Sequence, residues 1–312
     1  MHLECFGFAN SAVPLPTVSE KVFKSGFVSI IGKPNAGKST LMNALVGRKL
    51  AITTPKAQTT RHRILGIASG DNYQIVFSDT PGVILPQYKL HRMMMGAVHA
   101  SLEDADLFLL LVDVNERFPE ELVIKMAQKS QVPVLLVLNK VDKSTEEKVR
   151  QRHEEITSKV KVAGAIGISA TKDINLYPLK QMILELLHEG PPYFDPDEIS
   201  DRPERFFVSE LIREAIFLRL KDEIPYSCEV SILQFEEKDN VSVIHAEIHV
   251  ERKSQKGIIV GKGGKMIKDI GTDARHSIEA FLEKKVYLEL HARVAEGWKD
   301  SNYRLRDFGY RE

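Results

Sequence analysis

The sequence predicts two domains: a doubly wound, mostly parallel α/β sheet, then a small α+β unit. Three observations carry this. Continuously apolar runs alternate with helix-type stretches from Phe27 to about His188. The segment Gly190-Pro191-Pro192-Tyr193-Phe194-Asp195-Pro196 then breaks the pattern, because prolines end a helix and stiffen a connection. From Arg205 the order of elements changes. The expected division is a leader over 1–25, a first domain over 26–190, a linker over 191–204 and a second domain over 205–312.

The apolar runs of the first domain are Phe27–Ile31, Tyr73–Phe77, Asp106–Val112, Val132–Leu138 and Ala163–Ile168. Apolar residues without alternation mark strands buried on both faces of a parallel sheet. Helices are expected over Ser39–Leu50, Met93–Glu103, Glu120–Lys129, Glu146–Val160 and Leu176–His188, with Pro119 just ahead of the third. In such a sheet, ligands bind beyond the carboxyl ends of the strands. The second domain opens with a helix from Arg205 to about Lys221. Strands Cys228–Glu236 and Val241–Val250 follow, then two helices about a Gly-rich junction, then a strand over Val286–Val294. Residues 1–25 lack the basic start and clean apolar stretch of a secretory signal and read as a disordered leader. Cys5 and Cys228 have no metal-ligand spacing and read as free thiols of a reducing cytoplasm.

Gly32-Lys33-Pro34-Asn35-Ala36-Gly37-Lys38-Ser39 fits the phosphate-loop pattern, after a strand and opening a helix that continues through Thr40. Its glycines let backbone N–H groups face phosphate oxygens, and the helix terminus adds positive partial charge. Lys38 would reach the β- and γ-phosphates, and Ser39 would give its hydroxyl to Mg²⁺. Asp79-Thr80-Pro81-Gly82 ends a strand, where the carboxylate would bind Mg²⁺ through water and the Gly82 N–H would sense the γ-phosphate. Asn139-Lys140-Val141-Asp142 ends another. The Asp142 carboxylate matches the N1–H and N2–H₂ donors of guanine, and adenine offers no such pair, so the nucleotide is GTP or GDP. Ser169-Ala170 would hold the base through backbone N–H groups.

Between these motifs, Gln58-Thr59-Thr60-Arg61-His62 forms a polar loop. A threonine there would complete Mg²⁺ coordination. Thr60 is preferred, with Thr59 a real competitor. Arg61, His62 and Arg63 read as solvated switch-loop residues. Val83 stands where a water-orienting glutamine sits in Ras-like GTPases. An apolar side chain cannot orient water, so hydrolysis should be slow unaided, with another group or a partner completing the site.

In the second domain, Gly261-Lys262-Gly263-Gly264 makes a G-x-x-G turn between helices. A sugar–phosphate backbone can approach such a turn closely. Lys262, Lys265 and Lys268 supply charge, and Ile258, Ile259 and Ile267 would line an apolar groove for unstacked bases. With the α-β-β-α-α-β order, this is a type II KH domain for single-stranded nucleic acid. Net charge is zero over the chain, yet Arg252–Arg275 carries seven Lys/Arg against two Asp/Glu. That local basic patch is the electrostatic footprint of RNA binding. His245 and His249 lack a further Cys/His set and read as ordinary strand residues.

With these residues in view, the chain resembles the Era-type bacterial ribosome-assembly GTPases. The resemblance runs from about Phe27 to the C-terminus and includes GKPNAGKSTLMNAL, PKAQTTRHRILGI, DTPG, NKVD, SELIREAIFLRLKDEIPYS and GWKDSNYRLRDFGY. It implies binding of the 3′ end of small-subunit ribosomal RNA, favoured by GTP, and a role in maturing the small ribosomal subunit. It implies a K⁺ ion held near the phosphates by Asn35, a monomeric cytoplasmic protein, and peripheral association with the inner membrane. A tandem GTPase is disfavoured by the single phosphate loop, and a tRNA-modifying relative by the lack of a C-terminal catalytic cysteine motif. A non-enzymatic RNA chaperone is disfavoured by the intact Lys38, Ser39 and Asp79.

Overall fold

The computed structural model describes residues 22–116 and 121–310. The first 21 residues of the expected leader, and Pro119 and Glu120 at the expected start of the third helix, lie outside the described residues.

The first domain is built on a sheet in the order β2-β3-β1-β4-β5-β6. The strands are β1 (Lys24–Ile31), β2 (Ile64–Gly70), β3 (Tyr73–Asp79), β4 (Leu107–Asp113), β5 (Val134–Asn139) and β6 (Gly164–Gly167). Every pairing is parallel except β2 with β3. The interior strands are the continuous apolar runs; β4 and β5 are buried along their whole length. Helices α1 (Lys38–Val46), α2 (Lys89–Glu103), α3 (Glu121–Gln128), α4 (Glu146–Thr157) and α5 (Leu176–Leu186) cover the two faces in separate apolar clusters.

Two features differ from the sequence reading. Strand β1 begins at Lys24, inside the expected leader. Strand β2, ILGIASG, was not distinguished at all. Its Gly, Ala and Ser content is low in β-propensity, and it lies at the edge of the sheet, where pairing rather than composition makes the strand.

The expected linker is not a free connection. The Tyr193 and Phe194 N–H groups donate to Gln74 Oε1 at 2.7 and 2.9 Å. Further on, the Ile67 N–H donates to the Ile199 carbonyl at 2.9 Å, and Arg202 donates to the Arg63 carbonyl at 3.0 Å. The segment therefore runs along β2 and satisfies an edge that would otherwise be open to another chain.

The second domain keeps the expected order: α6 (Glu204–Arg219), β7 (Cys228–Glu237), β8 (Val241–Val250), α7 (Lys253–Val260), α8 (Lys265–Leu282) and β9 (Lys285–Val294). Its sheet runs β7-β8-β9, antiparallel then parallel. Ile212, Ile216, Ile244, Ile248, Ile270 and Ile278 form the centre of its core.

After β9 the chain returns to the first domain. Trp298 is fully buried, in one cluster with Leu90 and Met94 of α2, and its Nε1–H donates to the Ser227 carbonyl at 3.1 Å. The Lys89 N–H at the start of α2 donates to Asp300 Oδ1 at 3.0 Å. The short helix α9 (Asn302–Asp307) then carries Tyr310 into the domain junction. Trp298→Ala should therefore lower unfolding stability by about 3–5 kcal/mol, read as a lower urea midpoint; a change below about 1 kcal/mol would mean that the tail does not dock.

Candidate nucleotide site and nucleic-acid interface

The phosphate loop joins β1 to α1, at the carboxyl end of the sheet. Gly37 has φ +102°, and a Cβ there would lie 2.3 Å from Asn139 Nδ2, so both conformation and space demand glycine. Asn139 itself is nearly fully buried. Its Nδ2 donates to the Ala36 carbonyl at 2.9 Å, and its Oδ1 accepts from the Lys140 and Ala170 N–H groups at 2.8 and 3.2 Å. One side chain thus joins the phosphate loop to both base-side loops. Lys38 Nζ donates to the Gly32 and Lys33 carbonyls at 3.2 and 2.9 Å, across the mouth of the loop. Burial lowers its pKa to about 8, partly offset by the Asp79 carboxylate.

Ser39, Thr60 and Asp79 meet at one point. Ser39 Oγ donates to Asp79 Oδ2 at 2.6 Å and lies 2.8 Å from Thr60 Oγ1, which is 3.4 Å from the same carboxylate oxygen. Burial pushes the Asp79 carboxyl up to about 6, against the opposing pull of Lys38. Its Oδ1 is buried without a partner. Two hydroxyls beside an under-bonded buried carboxylate form an all-oxygen donor set that fits a hard divalent cation. Thr59 faces elsewhere: its hydroxyl lies 2.7 Å from that of Thr54 and donates to the Lys56 carbonyl at 2.7 Å. The geometry separates the two threonines that the sequence left in competition.

A cavity of about 430 Å³ opens over this point. Asn35, Gly37, Lys38, Ser39 and Thr40 of the phosphate loop, residues of the loop from Ile52 to Thr60, and Gly82 line it. A Cβ on Gly82 would sit 2.7–2.9 Å from Pro34, so only glycine lets this strand end lie against the phosphate loop. Thr80 is pinned beneath, its hydroxyl donating to the Ile30 carbonyl at 3.2 Å, and Pro81 and Val83 are buried. On the base side, Lys140 bridges Asp113 Oδ2 at 2.6 Å and the Asn35 carbonyl at 2.9 Å. Asp142 is exposed at the next turn, with the buried Ser169-Ala170 turn nearby through Asn139. Gln58 and Glu116 also line the cavity. The sequence offered Gln58 within the polar loop without assigning it a role, and nothing in the local pattern marked Glu116.

Arg61, His62 and Arg63 are not solvated as expected: Arg63 donates to Ser78 Oγ at 2.8 Å and pairs with Asp104 at 2.6 Å. Arg61 is 1% exposed. It donates to Glu229 Oε2 at 3.0 Å and to the Cys228, Pro225 and Tyr226 carbonyls. Burial opposes ionisation of Glu229, yet Arg61 and Arg213 hold its carboxyl below the usual range. Next to it, His62 stacks on Tyr310 at 4.2 Å, and burial lowers its pKa to about 4. Arg213 of α6 donates to the Thr59 carbonyl, Glu214 accepts from the Thr53 N–H at 3.0 Å, and Lys56 caps the carbonyls of Phe217 and Leu220. These partners lie more than 150 residues away in the sequence, so no local signal could have disclosed the burial.

At the G-x-x-G turn, Gly261, Gly263 and Gly264 all have positive φ, and a Cβ on Gly263 or Gly264 would meet open space. Lys262, Lys265 and Lys268 are exposed, Ile258 is 48% exposed and Ile267 is half-buried, all around the turn. Ile259 corrects the sequence reading. It is fully buried in the core with Ile270 and Ile278, because its successive position on α7 turns it away from the groove that Ile258 faces.

Residues 27–140 match the family described as 50S ribosome-binding GTPase, and residues 223–299 match the KH domain family. GTPase Era of Geotalea daltonii is 42% identical over 296 residues, covering 94% of this chain and all of that protein. GTPase Era of Nostoc sp. is 42% identical over 297 residues, covering 93% of this chain and 90% of its own. A crystal structure of Era with MgGDPNP and nucleotides 1506–1542 of 16S ribosomal RNA superposes with a TM-score of 0.89 at 39% identity, covering 93% of this chain and all of the other. An Aquifex aeolicus Era variant bound to GDP and AlF₄⁻ gives the same TM-score at 38% identity and the same coverage.

The hydroxyl geometry sets a direct contrast. Thr60→Ala should raise the Mg²⁺ concentration needed for half-maximal nucleotide hydrolysis by about tenfold or more. Thr59→Ala should leave it within about threefold. A magnesium titration of both variants decides between them, and equal effects would remove the distinction.

Proposed function

The chain belongs to the Era family of GTPases, and on that footing we propose that it binds the 3′ end of small-subunit ribosomal RNA through its KH domain while small subunits mature. It hydrolyses GTP to GDP and phosphate. The observation that carries the coupling is the placement of neighbouring residues: Thr60 stands at the nucleotide site while Arg61 is buried in the RNA-binding domain. A change at the γ-phosphate therefore reaches the KH domain through one peptide unit, and GTP binding and hydrolysis switch the affinity for RNA and ribosome.

Within the site, the phosphates lie on the Gly32–Thr40 loop, with the Lys38 ammonium against the β- and γ-phosphates. Ser39, Thr60 and Asp79 would hold Mg²⁺, which neutralises phosphate charge when bound. Asp142 accepts from guanine N1–H and N2–H₂, and Lys140, Asn139, Ser169 and Ala170 hold the walls of the base pocket. Asn35 Nδ2 donates to the Pro55 carbonyl at 3.0 Å, which brings the phosphate-loop carboxamide beside a switch-loop carbonyl. Carboxamide and carbonyl oxygens are the ligands K⁺ takes, and this supports a K⁺ ion beside the phosphates. The RNA backbone passes over Gly261-Lys262-Gly263-Gly264, with Lys265 and Lys268 on its phosphates and Ile258 and Ile267 under its bases. The chain acts as a monomer in the cytoplasm, where small subunits are assembled. The G-domain family is described by the large subunit, but the KH domain and the 16S RNA bound by the solved relative favour the small one.

Single-turnover GTP hydrolysis in K⁺ buffer, with and without an RNA copied from the 3′ end of small-subunit ribosomal RNA, tests this reading. Stimulation by that RNA and not by a scrambled one is expected, with loss of rate when Na⁺ replaces K⁺. Gly263→Asp should remove the stimulation and leave the basal rate intact, because it adds a negative side chain at the turn proposed to meet the RNA phosphates, with no protein atom other than its chain neighbours within 4 Å of its Cβ. Equal loss of both rates would mean that the two domains cannot be separated. Asp142→Asn should move preference from GTP toward xanthosine triphosphate, and unchanged selectivity would undo the base assignment.

A further inference from the structure

Val83 leaves the hydrolysis site without the glutamine that orients water. It is 1% exposed and packed with α2, so no side chain at that position supplies a polar group. Three side chains lining the cavity carry a carboxamide or carboxylate that could serve instead: Asn35, Gln58 and Glu116. Asn35 donates to the Pro55 carbonyl from the phosphate loop. Glu116 follows Asn115, whose Nδ2 donates to the Lys140 carbonyl on the base side. Gln58 lies two residues from Thr60 in the loop that lines the same cavity, and among the described residues no contact to the phosphate loop or the base side engages its carboxamide.

The structure holds Gln58 in a particular way. Its backbone is left-handed, with φ 55°, a conformation that costs a non-glycine residue energy and persists only where the surroundings impose it. Its Oε1 lies 3.2 Å from Nε2 of His91, a residue of α2 that is 3% exposed. The tautomer follows from the other ring nitrogen. The Gln87 N–H points to His91 Nδ1 at 3.4 Å, so Nδ1 accepts and Nε2–H donates to Gln58. Burial, with Arg61 and Lys299 nearby, lowers the His91 pKa, in the direction that favours the neutral ring this tautomer requires. The ring also stacks on Tyr88 at 3.8 Å. With one lone pair of Oε1 engaged, Gln58 retains the other lone pair and two amide protons.

We propose that Gln58 is the catalytic residue that orients the attacking water, and that His91 is its positioning residue. The proposal rests on the nucleotide-site reading above. The Gln58 carbonyl oxygen accepts a hydrogen bond from the water and its amide donates to a γ-phosphate oxygen. The water oxygen forms a bond to the γ-phosphorus while the bond from phosphorus to the β–γ bridging oxygen breaks. The electron pair of that bond leaves with GDP, and the water proton ends on the released phosphate. The orienting group thus comes from the loop before β2, where Ras-like enzymes take it from the position after Asp-Thr-Pro-Gly. Because α2 carries His91, water is oriented only when this loop and α2 are both in place.

Single-turnover hydrolysis by the full chain, beside equilibrium binding of a non-hydrolysable GTP analogue, tests the assignment. Gln58→Ala should slow hydrolysis by about 10²-fold while the analogue Kd stays within about threefold. Gln58→Asn accepts the left-handed backbone but is one methylene shorter, so a comparable loss there excludes strain as the cause. His91→Ala should slow hydrolysis about tenfold. His91→Asn, which keeps an N–H for Gln58, should recover most of that loss. Capture of GDP with aluminium fluoride should fail in Gln58→Ala, although GDP alone still binds. Hydrolysis within about threefold of the parent in both Gln58 variants would overturn the proposal. Parallel loss of analogue binding and rate would overturn it as well, since Gln58 would then only shape the cavity. Failure of the parent chain itself to bind the analogue would instead overturn the nucleotide-site reading.

Discussion

Three consecutive residues of one loop point to three places, and the architecture follows from that. The Thr59 carbonyl accepts from Arg213 of α6. The Thr60 hydroxyl meets Ser39 and Asp79. The Arg61 guanidinium enters the second domain and meets Glu229. Extended chain sends neighbouring side chains to opposite sides, so a single strand of loop can serve two domains at once. The constraint is strict: residue 60 cannot move toward or away from a nucleotide without disturbing both of its neighbours.

The rest of the junction braces this loop. Lys49 pairs with Glu214 at 2.6 Å, and Ile52 is packed in the core of the second domain. The tail closes the far side, with Tyr310 stacked on His62 and its hydroxyl donating to Glu229 at 2.6 Å. Lys299 lies over the Tyr88 ring, 5.3 Å from its centroid, and pairs with Glu251 at 2.9 Å. Glu251 precedes α7, so the ring beneath His91 and the helix leading to the G-x-x-G turn share a lysine. The linker along β2 fixes the other end of the same region.

Much of this was legible in the sequence. Phosphate loop, strand ends and G-x-x-G turn each combine a backbone requirement with a local chemical one, and glycine spacing records both. Apolar continuity gave the interior strands, because burial on two faces leaves no alternation. The buried state of Arg61 was not legible, since an arginine before a histidine in a polar loop reads as solvated whatever lies 168 residues further on. Strand β2 was missed because its hydrogen bonds to β3, not its composition, make it a strand. Ile258 and Ile259 looked alike in a run of apolar residues, and only the helix phase separates groove from core. Thr60 was preferred over Thr59 with Thr59 still in competition, and the fold turns the Thr60 hydroxyl toward Asp79 and that of Thr59 toward the Lys56 carbonyl.

The junction's chemistry bears on how it can switch. A junction made only of apolar contacts would be indifferent to small rotations, because burial is non-directional. This one depends on Arg61, Arg213, Glu210 and Glu229, all less than 5% exposed. Breaking a buried pair by removing one partner costs about 3–5 kcal/mol, and buried donors tolerate little misalignment. The set therefore has few acceptable arrangements, and intermediate ones leave charges unpaired. Arg61 Nε and Arg213 Nη1 are already without partners, so the present arrangement is not the one that satisfies every donor. Each such unmade bond of a buried group costs about 1–3 kcal/mol, so the junction carries a local deficit at Arg61 and at Arg213, the arginine that meets its loop at Thr59.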